Sequence, residues 1–292
     1  MKSKRQNGTI ALPPREMFPF QSRFFSIGPN KLHYVDEGSG PVVILLHSCP
    51  FWSYEFRALI EDLRRDHRVL AIDQMGFGLS GKPRHFDYRI EAHVDHLERF
   101  IRVLGLKDFT LVMHGRGAAI GMAGAIRHPE DVKGFVTLNA MSFSNYYLPW
   151  RLQLCRLKWI GAKIVMNLRI FQRDFDKLPK AIRAGYYYPF PTRRDQESVL
   201  HFIEDLPSAP EDPSAQTMFE IESSLWLLRD KPCCIIWGRK DWLYTMRNFR
   251  TWTQYFPLAE KHVIDKAGRT LMEDAPVEIC DYIRDFLEKN GL

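Results

Sequence analysis

At 292 residues, 45% hydrophobic and 13% aromatic, the chain can bury a large core, as one α/β domain or one carrying an inserted lid. Its net charge of +6 is spread over interleaved acids and bases, which argues against nucleic acid as a partner. Five scattered cysteines without metal-ligand spacing argue for reduced thiols, with no metal or cofactor expected. No stretch has the apolar core of a signal peptide or the about 18 to 20 apolar residues of a membrane span, so a cytoplasmic location is expected.

Residues 1–18 are polar and proline-bearing and read as a flexible tail. Residues 24–37 suggest a hairpin around Gly28-Pro29-Asn30. Residues 42–46 (VVILL) form a buried strand that ends in His47-Ser48-Cys49-Pro50. Ser53 is placed to cap the next helix, whose apolar face is Leu59, Ile60 and Leu63. A strand over 68–73 precedes the turn Gly76-Phe77-Gly78. Ile90, Val94, Leu97, Ile101 and Leu104 then recur at helical spacing until Gly105. Residues 109–113 (FTLVM) show no alternation, as a strand buried on both faces requires, and 118–126 are small enough for a helix to pack close to a sheet. Residues 132–138 are a further strand.

The alternation breaks near Met141. Residues 141–229 are rich in aromatics, arginine and proline without a clear strand, and are expected to form a helical cap on a core of residues 19–140 and 230–292. Strands at 233–237 and 262–264 flank a helix around 248–255. A last helix opens with Asp274 as N-cap and Pro276 in its first turn, and buries Val277, Cys280, Ile283 and Phe286. Strand–helix alternation predicts a mostly parallel sheet with right-handed crossovers.

One turn organises this pattern: His114-Gly115-Arg116-Gly117-Ala118, between strand and helix. Glycines at a sharp strand–turn–helix junction frame a nucleophile elbow. Its tip, Gly115, has no side chain.

His47-Ser48-Cys49-Pro50-Phe51-Trp52-Ser53 is similar to the His-Gly-Asn-Pro-Thr-Trp-Ser loop of the haloalkane dehalogenases, within the α/β-hydrolase superfamily. Asp73-Gln74-Met75-Gly76-Phe77-Gly78-Leu79-Ser80 with Lys82-Pro83, and the elbow segment LVMHGRGAAIG, resemble two further family motifs. Arg183-Ala184-Gly185-Tyr186 and Phe202-Ile203-Glu204-Asp205-Leu206-Pro207 resemble the subgroup with the β-lactone decarboxylases of bacterial long-chain olefin biosynthesis. The resemblance covers about residues 20–290. It implies an α/β-hydrolase fold with a helical cap, a long-chain ligand, and a partner enzyme in a biosynthetic assembly.

The resemblance also shows departures. Gly115 stands where the family has its nucleophilic aspartate, and Arg116 where it has a halide-holding tryptophan. Cys49 replaces the first loop's asparagine, and Arg269, in Lys266-Ala267-Gly268-Arg269, replaces the histidine that activates water. Asp241, in Trp237-Gly238-Arg239-Lys240-Asp241, matches the triad acid. Glycine cannot attack carbon, and a guanidinium stays protonated and cannot act as base. In a comparable triad either loss alone costs about 10⁶ in turnover. Hydrolytic chemistry of the family type is therefore expected to be absent.

Three readings remain open. In the first, the protein is a pseudoenzyme. The helix N-terminus at the elbow, Arg116 and Arg269, opposed only by Asp241, would hold an anionic group beside Cys49, Trp52 and His114, or Arg269 would pair with Asp241 and plug the site. In the second, the protein is a lyase or cyclase without a covalent intermediate. In the third, Cys49 is an unrecognised nucleophile, although a small residue filling the asparagine's space explains it as well. His47 and His114 match structural histidines of the family. In the cap, residues 150–175 interleave Arg151, Arg156, Lys158, Lys163, Arg169 and Arg173 with apolar side chains, among them Trp159. This fits a lid helix over the pocket, or a basic amphipathic surface for a membrane or partner. Tyr186, Tyr187 and Tyr188 would line a long-chain tunnel or simply pack.

Overall fold

A computed structural model describes residues 5–6, 9–141, 143, 148–157 and 160–292. Lys158 and Trp159 of the basic cap segment lie outside the described residues, as do residues 1–4 and 7–8 of the expected tail.

The first strands, β1 (Arg5–Gln6) and β2 (Thr9–Ile10), pair with each other. The main sheet contains β3 (Arg23–Ile27), β4 (Asn30–Glu37), β5 (Val42–Leu46), β6 (Arg68–Ile72), β7 (Phe109–His114), β8 (Val132–Leu138), β9 (Cys233–Gly238) and β10 (Glu260–Ile264). Their spatial order is β10-β9-β8-β7-β5-β6-β4-β3. Pairing is parallel from β6 through β10, while β4 runs antiparallel to β3 and β6. The alternation of strand and helix thus produces the expected mostly parallel sheet.

Because side chains alternate across a strand, each central strand feeds two cores. Ile44, Leu46, Leu111 and Met113 face one core, with α2 (Ile90–Val103) and α3 (Gly117–Arg127). Val43, Leu45, Val112 and Val136 face the other, under α1 (Arg57–Leu63). The cap contributes α4 (Trp150–Arg156), α5 (Ile160–Ala162), α6 (Lys180–Tyr187) and α7 (Glu197–Glu204), and the chain returns through α8 (Ala215–Ser224), packed on α3. Then come α9 (Met246–Tyr255), α10 (Leu271–Asp274) and α11 (Pro276–Asn290), with α11 in the second core. No described helix is long and apolar enough to cross a membrane.

Four local expectations are corrected. Ser53 does not cap a helix: it begins a 3-10 turn, Ser53–Phe56, that runs into α1, and its amide is taken by Asp73 Oδ1 at 2.7 Å. Asp274 ends α10, and its carboxylate receives the Gly268 amide at 2.8 Å, so Ala275 is the N-cap of α11. Val277 is 71% exposed, and the buried stripe is Ile279, Cys280, Ile283, Phe286 and Leu287. At 3.6 residues per turn Val277 lies about 120° from that stripe's centre. The tail is anchored from Leu12, whose carbonyl accepts from Tyr188 Oη at 2.9 Å, and Phe18 is buried against Phe20 and Trp52.

Candidate functional site

The elbow forms where β7 passes into α3. Gly115 has φ +54°, the left-handed region that favours glycine. Its amide donates to Leu138 O at 3.1 Å, and its carbonyl accepts from Met141 N at 3.0 Å, which locks the turn to β8 and the start of the cap. A Cβ on Gly115 would overlap Ser48 Oγ and lie 2.6 Å from Ser48 Cβ and 2.9 Å from Tyr244 Cε2. The space a nucleophile would need is filled. In the sequence, Ser48 stands out only because the resembled loop has glycine there.

Arg116 does not reach into an open pocket. It is fully buried at the start of α3, with its guanidinium 3.8 Å over the Phe202 ring. It donates to Phe202 O and to the Asp205 carboxylate. Asp205 also accepts from Ser214 Oγ at 2.7 Å and from the Ile90 amide at 3.2 Å, so one cap carboxylate ties together the elbow, α2 and the start of α8.

Arg269 is equally enclosed. Nη1 donates to Phe171 O at 2.7 Å and to Asp174 Oδ2 at 3.1 Å, and Nη2 donates to Cys49 O. The rings of Phe51, Phe171 and Trp242 stand 5.3 to 5.6 Å from its guanidinium carbon. Its ion-pair partner is therefore Asp174, a cap residue, and not Asp241. Asp241 Oδ1 accepts from the Leu243 and Tyr244 amides at 2.7 and 3.0 Å, and its buried Oδ2 has no partner among the described residues. Burial raises the Asp241 pKa to about 6, against the pull of Arg269. The expectation that Asp241 alone opposes both arginines is overturned: each arginine has its own cap carboxylate, so the predicted net positive pocket is absent.

The remaining candidates are structural in their contacts. Cys49 is buried, and desolvation pushes its thiol up to about 12, away from the thiolate a nucleophile requires. Trp52 packs on Tyr54 and donates to Gly185 O at 3.1 Å, which places it at the cap–core seam. His114 Nδ1 lies 2.7 Å from Glu55 Oε2, and its Nε2 has no partner among the described residues. Burial lowers the pKa of His47, whose Nε2 accepts the Gln74 amide while Nδ1 donates to Ser48 O, a neutral tautomer that holds two loops together. Glu55 escaped the sequence reading; a carboxylate amid Trp52, Tyr54 and Phe56 was its one signal.

Tyr186, Tyr187 and Tyr188 are held by hydrogen bonds to Glu273, Gln172 and Leu12. Packing is thus the reading their contacts favour. An apolar cleft between Met141, Leu148, Leu152, Leu206, Leu243 and Tyr244 has a volume of about 40 Å³.

The α/β hydrolase fold family matches residues 41–276. A cis-3-alkyl-4-alkyloxetan-2-one decarboxylase of Shewanella oneidensis is 33% identical over 284 residues, covering 93% of this chain and 89% of its own. Haloalkane dehalogenase 2 of Mycobacterium tuberculosis is 28% identical over 280 residues, covering 92% and 95%. Among solved structures, the haloalkane dehalogenase DatA of Agrobacterium tumefaciens superposes with a TM-score of 0.83 at 24% identity, over 95% of this chain and all of the other.

Proposed function

This chain belongs to the α/β-hydrolase fold family, in its haloalkane dehalogenase-like branch, and from that membership we propose that it is a non-hydrolytic pseudoenzyme acting as a binding or scaffold subunit. One observation supports this above the others: Ser48 and Tyr244 occupy the place of a side chain at Gly115. The two arginines at catalytic positions extend the same point, since each joins core to cap. Arg116 reaches Asp205 and Arg269 reaches Asp174. An anionic ligand would have to displace one of those carboxylates, which favours a partner protein over a small anion. The name of the decarboxylase relatives supplies the ligand class worth testing, a β-lactone with two alkyl arms.

A screen with haloalkanes, p-nitrophenyl esters and a cis-dialkyl β-lactone tests this reading. Wild type is expected to be inert and to form no covalent adduct. The variant Ser48→Gly/Gly115→Asp/Arg269→His, confirmed as folded by circular dichroism, is expected to gain turnover or an adduct. Wild-type turnover abolished by Cys49→Ala would overturn the proposal in favour of a hydrolase. A second reading rests on the unpartnered Asp241 Oδ2 and its pKa of about 6, suited to acid–base work in a lyase. Wild-type β-lactone turnover without an adduct, lost in Asp241→Asn, would establish that reading instead.

A further inference from the structure

Residues 150–173 contain six basic residues and no acidic one. Inward, Leu152, Cys155, Val165 and Met166 are buried, which supplies the lid face a pocket cover needs. Outward, a second apolar set remains. Trp150 is 67% exposed, and Leu154, Leu157, Ile160 and Leu168 are exposed with it. Trp150 and Leu154 stand four residues apart on α4, the spacing that places side chains on one helical face, and Leu157 follows at the helix C-cap. Among the described residues, Arg151, Lys163, Arg169 and Arg173 have no carboxylate partner; Arg156 alone is paired, with Asp212 at 3.2 Å.

We propose that this outer face of the cap docks on the surface of an anionic lipid bilayer. Charge decides between the available occupants. Four cations without a carboxylate partner, in a stretch with no acid, complement a negatively charged headgroup layer, which accepts Lys and Arg around an apolar wedge. Tryptophan is enriched at that depth, where its ring meets both the acyl boundary and the headgroups. Phosphate groups of the lipids face Arg151, Lys163 and Arg173 while Trp150, Leu154 and Leu157 enter the boundary. The docking leaves the elbow untouched, so it stands or falls independently of catalytic status.

Sedimentation of the full chain with phosphatidylcholine vesicles, with and without phosphatidylglycerol, is the test. Wild type binds the anionic vesicles and is released by salt. Arg151→Gln/Lys163→Gln/Arg173→Gln weakens partition about a hundredfold. Trp150→Ser/Leu154→Ser/Leu157→Ser weakens it about tenfold or more. All six residues are exposed, and unchanged circular dichroism confirms the fold. Absence of binding to the anionic vesicles, or equal binding to both kinds, overturns the proposal. Light scattering that shows a dimer dispersed by the apolar variant, with no vesicle binding, assigns the face to a second copy of the chain and overturns it too.

Discussion

Gly115 combines φ +54° with a Cβ position already taken by Ser48, so any side chain there meets both backbone strain and overlap. Gly115→Ala is expected to destabilise the protein by about 1–3 kcal/mol in urea unfolding. If Ser48 is the occluding group, the Ser48→Gly/Gly115→Ala double variant loses less than the sum of the singles, with a coupling of about 0.5–3 kcal/mol. Simple additivity would show that the two positions are independent. Asp241 gives a second expectation. A carboxyl raised to about 6 binds its proton more tightly folded than unfolded, so between about pH 4 and 6 stability falls as pH rises. Above that window the charge costs on the order of 3 kcal/mol at most. Asp241→Asn, which keeps an oxygen for the Leu243 and Tyr244 amides, is therefore more stable than wild type above about pH 7. The gap closes as pH falls towards about 4, as paired thermal melts would show. A gap that widened on acidification would contradict the burial argument.

At the scale of elements, the cap is joined to the core through the positions that resemble catalytic ones. Arg116 leads from the elbow to Phe202 and Asp205 at the end of α7, and Arg269 leads from the loop after β10 to Phe171 and Asp174. Removing one partner of a buried pair leaves an uncompensated charge, which costs about 3–5 kcal/mol. Asp205→Ala is expected to lose stability on that scale and to speed amide exchange in α7. Arg116→Met/Asp205→Leu is expected to recover part of the loss, because both charges leave together. Unchanged exchange in α7 would mean that the cap does not depend on this pair. Element boundaries were legible where periodicity or glycine set them, as in α2 and its stop at Gly105. They were misread where a short turn precedes the helix: Ser53 does not cap α1 because it already begins the 3-10 turn Ser53–Phe56, with Trp52 at the N-cap.

For the molecule as a whole, the runs VVILL and FTLVM and the alternation around them determined the doubly covered sheet, because burial on both faces demands near-continuous apolar strands. The resemblance of the motifs also marked Gly115, Arg116, Cys49, Asp241 and Arg269 as the candidate site residues. What those residues do was decided in three dimensions. Asp205 and Asp174 lie 89 and 95 residues from the arginines they neutralise, and no local pattern couples charges so far apart in the chain. The sequence by itself placed a residue without a side chain, Gly115, at the tip of the turn between strand and helix. Only the tertiary structure decided that the space beside it is filled and the two arginines are paired, because steric exclusion and ion pairing depend on contacts that folding alone creates.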